Sequence, residues 1–110
     1  MKLKQLVCIF VFFGLAFQGF GASPVRINEF MASNGGGLAD EDRQDSDWIE
    51  IYNPGPDAAN LDEWSLTDHA SNLTKWEFPT ITVPPGGYLV VFASGKNRNT
   101  PKLHTNFSLE

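Results

Sequence analysis

The chain has 110 residues, 42% of them hydrophobic, with one cysteine and a formal net charge of −5. That length holds one small domain and excludes a Rossmann enzyme or a TIM barrel. A lone cysteine excludes an intramolecular disulfide and a cysteine-built zinc cluster.

The apolar residues crowd toward the start. Lys2 and Lys4 precede an apolar run from Leu6 to Phe17, interrupted only by Gly14. Gln18, Gly19, Gly21, Ala22 and Ser23 then supply a polar break and small residues. This is the layout of a secretory signal peptide. The run falls short of the roughly 20 residues needed to span a bilayer. The sequence therefore divides into a signal peptide at 1–22, cut after Gly21 or Ala22 with Gly21 slightly favoured, and a domain at 23–110. Cys8 sits inside the apolar run, not after it, so it is not placed for lipidation and leaves with the leader. The product is expected to be secreted, periplasmic or held at the cell surface, and to fold without disulfides. It keeps 13 acids against six bases (Arg26, Arg43, Lys75, Lys96, Arg98, Lys102), a net charge of −7. That balance argues against wrapping nucleic acid. It argues equally against electrostatic docking on anionic lipid, so no membrane partner is expected after cleavage.

After Ser23 no window keeps a helical period, and apolar residues come in short runs bounded by Gly, Pro, Asn and Asp. Val25 and Ile27 alternate with Arg26 and Asn28, and Phe30 breaks the alternation, which predicts a bulge or an edge twist. In Trp48-Ile49-Glu50-Ile51-Tyr52 the isoleucines share one face, and Trp48 and Tyr52 lie on the other beside Glu50. Trp64 and Leu66 share a face with Ser65 and Thr67 opposite; Trp76 and Phe78 share one across Glu77. Tyr88-Leu89-Val90-Val91-Phe92 is apolar on both faces and reads as a central strand. His104, Asn106 and Ser108 alternate with Thr105, Phe107 and Leu109. Asn53-Pro54-Gly55 and Pro85-Gly86 carry the Pro-then-Gly chemistry of type II turns. Short strands with such turns predict an all-β sandwich or barrel, its core anchored by three tryptophans.

These segments, in this order, resemble the lamin-tail domain in its bacterial secreted form. The resemblance runs through Ile27-Asn28-Glu29-Phe30-Met31-Ala32-Ser33-Asn34, Asp40-Glu41-Asp42, and Asp47-Trp48-Ile49-Glu50-Ile51-Tyr52-Asn53-Pro54-Gly55. It continues with Leu61, Trp64-Ser65-Leu66-Thr67-Asp68, Lys75-Trp76-Glu77-Phe78-Pro79, and Pro85-Gly86-Gly87-Tyr88-Leu89-Val90-Val91-Phe92-Ala93-Ser94-Gly95. It ends at Leu103-His104-Thr105-Asn106-Phe107-Ser108-Leu109. No one motif is diagnostic; their order and spacing carry the likeness. The resemblance implies an immunoglobulin-like β-sandwich. It also implies further strands beyond Glu110, so the sandwich is expected to be incomplete at its C-terminus, as the N-terminal piece of a longer secreted protein or a truncated reading frame. An incomplete, disulfide-free sandwich is expected to be marginal.

The densest chemistry lies in Asp40-Glu41-Asp42-Arg43-Gln44-Asp45-Ser46-Asp47. Closely spaced carboxylates repel unless a cation or solvent screens them. Asp40, Asp42, Asp45 and Asp47 are candidate ligands for Ca²⁺, a hard ion that takes six to eight oxygens. The spacing is not that of an EF-hand, and a solvated acidic loop with local Asp turns is the competing reading. No cofactor is required. His69 and His104, the only histidines, read as exposed loop and strand positions without a third ligand. Ser71, His69 and Asp68 could be assembled into a triad on paper, but near neighbours in one loop do not reach triad geometry and no nucleophile elbow is present. Lys96, Arg98 and Lys102 form a small basic run that either touches an anionic partner or stays solvated. Trp48 and Tyr52, flanking Glu50, are candidate ligand-binding residues for a sugar ring or a protein, with packing as the alternative.

The resemblance implies a non-catalytic extracellular module for adhesion or protein–protein contact, with a protein or polysaccharide partner at the cell surface. An accessory fragment of a larger extracellular enzyme and a carbohydrate-binding module remain alternatives. Fold alone does not choose between them.

Overall fold

The computed structural model describes residues 8–11 and 25–109. Among them are nine strands: β1 (Cys8–Val11), β2 (Arg26–Met31), β3 (Asp47–Tyr52), β4 (Ala59–Asn60), β5 (Trp64–Thr67), β6 (Trp76–Glu77), β7 (Thr82–Val83), β8 (Tyr88–Ala93) and β9 (Leu103–His104). No described residue is helical. The all-β expectation holds.

The largest sheet runs β2-β3-β8-β9, a second runs β1-β5-β6, and β4 pairs with β7. β3 is antiparallel to both β2 and β8, whereas β9 joins β8 in parallel. The alternation in β3 sets the layering. Ile49 and Ile51 are fully buried, opposite Val91 and Leu89 of β8. Trp48, Glu50 and Tyr52 occupy the other face, opposite Phe92, Val90 and Tyr88. The buried face meets Leu61, Trp64, Leu66, Trp76, Phe78 and Val83 in one continuous core that includes Phe107 and Leu109. Each fully buried aliphatic side chain there contributes about 1.5–3 kcal/mol of transfer free energy. β8 is central, as its doubly apolar sequence predicts, although β9 pairs only with Val91 and Phe92.

Three local expectations need correction. The irregularity in β2 falls between Ile27 and Glu29, not at Phe30. Gly55 does not take positive φ; the turn after β3 is made instead by the Asn53 side chain, whose Oδ1 accepts from the Gly55 N–H at 3.0 Å. And only two of the three tryptophans, Trp64 and Trp76, anchor the core; Trp48 is half-buried on the other face of β3. The Pro85-Gly86 turn does behave as read: Gly86 sits at φ 73 and the Gly87 N–H donates to the Pro84 carbonyl at 2.9 Å. Glycine takes that conformation without a Cβ penalty.

β1 lies within the segment that reads as the apolar core of an export signal. It pairs antiparallel with β5, Cys8 opposite Thr67 and Val11 opposite Trp64.

Candidate functional site

Two features gather the chemistry-bearing side chains. The first is a charge network between the acidic loop and the chain that follows β8. Asp40 is at its root. One carboxylate oxygen, Oδ1, accepts from the backbone N–H of Asp42 (2.9 Å) and Gln44 (3.0 Å). The other, Oδ2, accepts from the Ser46 hydroxyl (2.7 Å) and from Lys96 Nζ (2.6 Å). Burial alone would raise the pKa of this carboxyl; Lys96, Ser46 and the two backbone donors outweigh burial and hold it well below the ordinary range. Lys96 also reaches Asp42 Oδ2 at 2.8 Å, and Arg98 bridges Glu41 (2.9 Å) and Asp42 (2.8 Å).

His104 completes the network from below. Nε2 lies 2.9 Å from Glu41 Oε2, and Nδ1 lies 2.8 Å from the Ser94 hydroxyl. A carboxylate can only accept, so Nε2 carries the proton that faces it. The Ser94 oxygen also accepts from the Lys96 N–H at 3.1 Å. The imidazole is fully buried and lies against the Phe92 ring, centroids 5.4 Å apart. The expectation that His104 is an exposed strand position fails, because β9 turns it inward under the acidic loop.

The four aspartates singled out for Ca²⁺ are not brought together. Asp40 and Asp42 face Lys96 and Arg98, Asp47 accepts from the Asn34 N–H at 3.1 Å, and Asp45 is exposed on the loop. Among the described residues no group of three or more His, Cys, Asp or Glu side chains is arranged to hold a metal. At residues 40–42 the carboxylates are countered by Lys96 and Arg98. Sequence reading missed Glu41, Ser94 and this use of Lys96 and Arg98. The signal that points to it is the complementary charge of residues 40–42 and 96–98.

His69 does touch Ser71, Oγ to Nδ1 at 2.9 Å, but Asp68 turns to Lys75 at 2.9 Å and all of this lies in one loop. No three-member relay forms there.

The second feature is the outer face of the large sheet. Tyr52 and Tyr88 stack with centroids 4.6 Å apart and planes 20° apart. The Arg26 guanidinium lies 5.4 Å from the Tyr52 centroid. Trp48 is half-buried in the same row, and its indole N–H has no hydrogen-bond partner among the described residues. Of the two candidate ligand residues, neither is the most open aromatic among the described residues. Tyr88 is, at 57% exposed.

The chain matches the Lamin Tail Domain family over residues 19–109 and belongs to that family. Its fold is the immunoglobulin-like β fold. No curated protein and no solved structure matches the chain.

Proposed function

We propose that the chain is a non-catalytic binding module of an exported protein, acting by adhesion or protein–protein contact at the cell surface or beyond. Membership of the Lamin Tail Domain family supports a binding role. The observation that carries the reading is how the polar chemistry is spent. The densest ionisable cluster is consumed in internal bonds that tie residues 40–42 to residues 94–104. The groups left facing outward are contact groups: an open tyrosine ring, its stacked partner and a guanidinium. Aromatic and arginine side chains of this kind supply contact area at protein interfaces. Export rests on the leader-like layout of residues 1–22.

The test has two arms. Expression of the full chain in a bacterial host, followed by N-terminal sequencing of the exported product, should find a start at Ala22 or Ser23; retention of Met1 in an unexported chain overturns the location. Chemical crosslinking on cells that display the product should trap protein partners through the outer sheet face. Loss of those products in Tyr88→Ala supports the reading, and their persistence overturns the assigned face.

One observation favours a second reading. The free face of the Tyr88 ring, held flat by Tyr52, has the form of a sugar-stacking platform. Retardation on a polysaccharide gel that Tyr88→Ala abolishes supports carbohydrate binding; identical migration of both proteins removes it.

A further inference from the structure

The central strand of the large sheet is only half covered on one side. β8 pairs with β3 along its whole length, but β9 reaches only Val91 and Phe92. The phase of the ladder is fixed at both ends. The Asn53 N–H donates to the Gly87 carbonyl at 3.0 Å, so that carbonyl and the backbone groups of residues 89, 91 and 93 point to β3. The Thr105 N–H donates to the Phe92 carbonyl at 2.8 Å, so residues 88, 90 and 92 face the other way. Tyr88 and Val90 therefore aim backbone groups past the end of β9, where no described strand pairs with them.

That edge forms one wall of an open groove of about 460 Å³, whose other walls include Leu38, Ile81, Pro101 and Lys102. We propose that this groove is a strand-acceptor site, taking an extended peptide that adds beside Tyr88–Val90 and carries an apolar side chain close to a carboxylate. The occupant is argued from three features. An unpaired strand edge presents donors and acceptors at ladder spacing, which another peptide backbone matches. Leu38, Ile81 and Pro101 offer an apolar seat for alternate side chains of such a strand. Lys102 is exposed and makes no ion pair among the described residues, whereas Lys75, Lys96 and Arg98 are all paired with carboxylates. On a chain with net charge −5, one free ammonium at the groove selects for a nearby acid.

This deepens the protein-contact reading above and rests on it. The test is panning of a phage-displayed random decapeptide library on the full chain, with the selected sequences remade as blocked synthetic peptides. The expected winners alternate apolar residues and include Asp or Glu. Their affinity should fall about tenfold with Lys102→Glu, from loss and reversal of the rim charge. N-methylation of the peptide amides that face β8 should weaken binding at least as much, while N-methylation of the amides between them should not. Val90→Pro, which deletes a donor aimed into the groove, should abolish binding; the N-methyl series carries the same test should that variant not fold. Absence of any enriched peptide overturns the proposal. Peptides that bind but ignore both Lys102→Glu and N-methylation also overturn it, while leaving the protein-contact reading standing.

Discussion

His104 Nε2 lies 2.9 Å from Glu41 Oε2 although 63 residues separate them, and the imidazole is fully buried. The pair joins the acidic loop to the parallel strand β9, and Ser94 holds the other ring nitrogen. His104→Ala opens a cavity beside Phe92 and removes the ring nitrogen that faces the Ser94 hydroxyl, which together should cost about 3 kcal/mol in denaturant melts. Glu41→Ala should destabilise in the same direction by leaving the buried ring nitrogen unpaired. Much of that effect should vanish in the His104→Ala background, since the two changes break one bond. Strict additivity in the four-variant cycle would show that the pair is not coupled.

The same network sets an acid limit. Burial works against ionisation of Asp40 and Glu41, yet the bonds from Lys96 and Ser46 to Asp40, and from His104 to Glu41, hold both below their ordinary values of 3.8 and 4.5. The bonds from Lys96 and Arg98 likewise lower Asp42. A group whose folded pKa is depressed contributes stability above its unfolded pKa and loses it as pH falls through the folded one. Stability should therefore be level above about pH 5.5 and fall steadily below about 4.5, the window set by the unfolded carboxyls. Asp40→Asn should lower stability at neutral pH and flatten that acid limb. Thermal melts from pH 7 to pH 3 read both, and an unchanged slope in the variant would contradict the assignment.

Period-two patterning makes the large sheet legible in the sequence. It separates Ile49 and Ile51 from Trp48 and Tyr52 onto opposite faces, because side-chain direction in a strand follows from sequence position alone, but it does not say which face is buried. The turn at Pro85-Gly86 is legible for a similar reason: proline presets one turn position and glycine takes the positive φ of the next at no steric cost. What the pattern hid was long-range. Nothing local to Asp40 says that its countercharge is Lys96, 56 residues on, so five nearby acids read as a cation site. Nothing local to His104 says that the loop above it will cover it. The burial of all of β5 was equally hidden, because it depends on which strand covers Ser65 and Thr67.

Asn53 shows how one buried amide can fix a corner. Its Nδ2 donates to the carbonyls of Asp57 (2.8 Å) and Val83 (2.9 Å), and its Oδ1 accepts from Gly55. Asn53→Ala leaves the buried Val83 carbonyl and the partly buried groups of Gly55 and Asp57 without this partner and should cost about 2–3 kcal/mol. Asn53→Asp should be at least as harmful despite its matching shape, because a carboxylate oxygen replaces the donor that faces two carbonyls. Urea titrations of the two variants check this; an Asp variant as stable as the parent would show that the amide donor does not matter.

The last prediction concerns the edge of β5. In the full chain that edge is covered by β1, which falls inside the segment expected to leave on export. A chain that starts at Ser23 has no such strand, so the backbone groups of Trp64–Thr67 on that side lose their ladder partners. Edge exposure also uncovers the apolar body of β5 that packs on Leu61 and Trp76. Hydrogen exchange followed by mass spectrometry should show faster exchange in 64–67, while amides of β3 and β8 keep their protection. Heating should give a broad transition instead of a cooperative one, since a disulfide-free domain of this size has little stability to spare. A sharp, reversible melt for residues 23–110, with β5 protected as in the full chain, would mean that the Trp64–Thr67 edge is stable without a neighbouring strand.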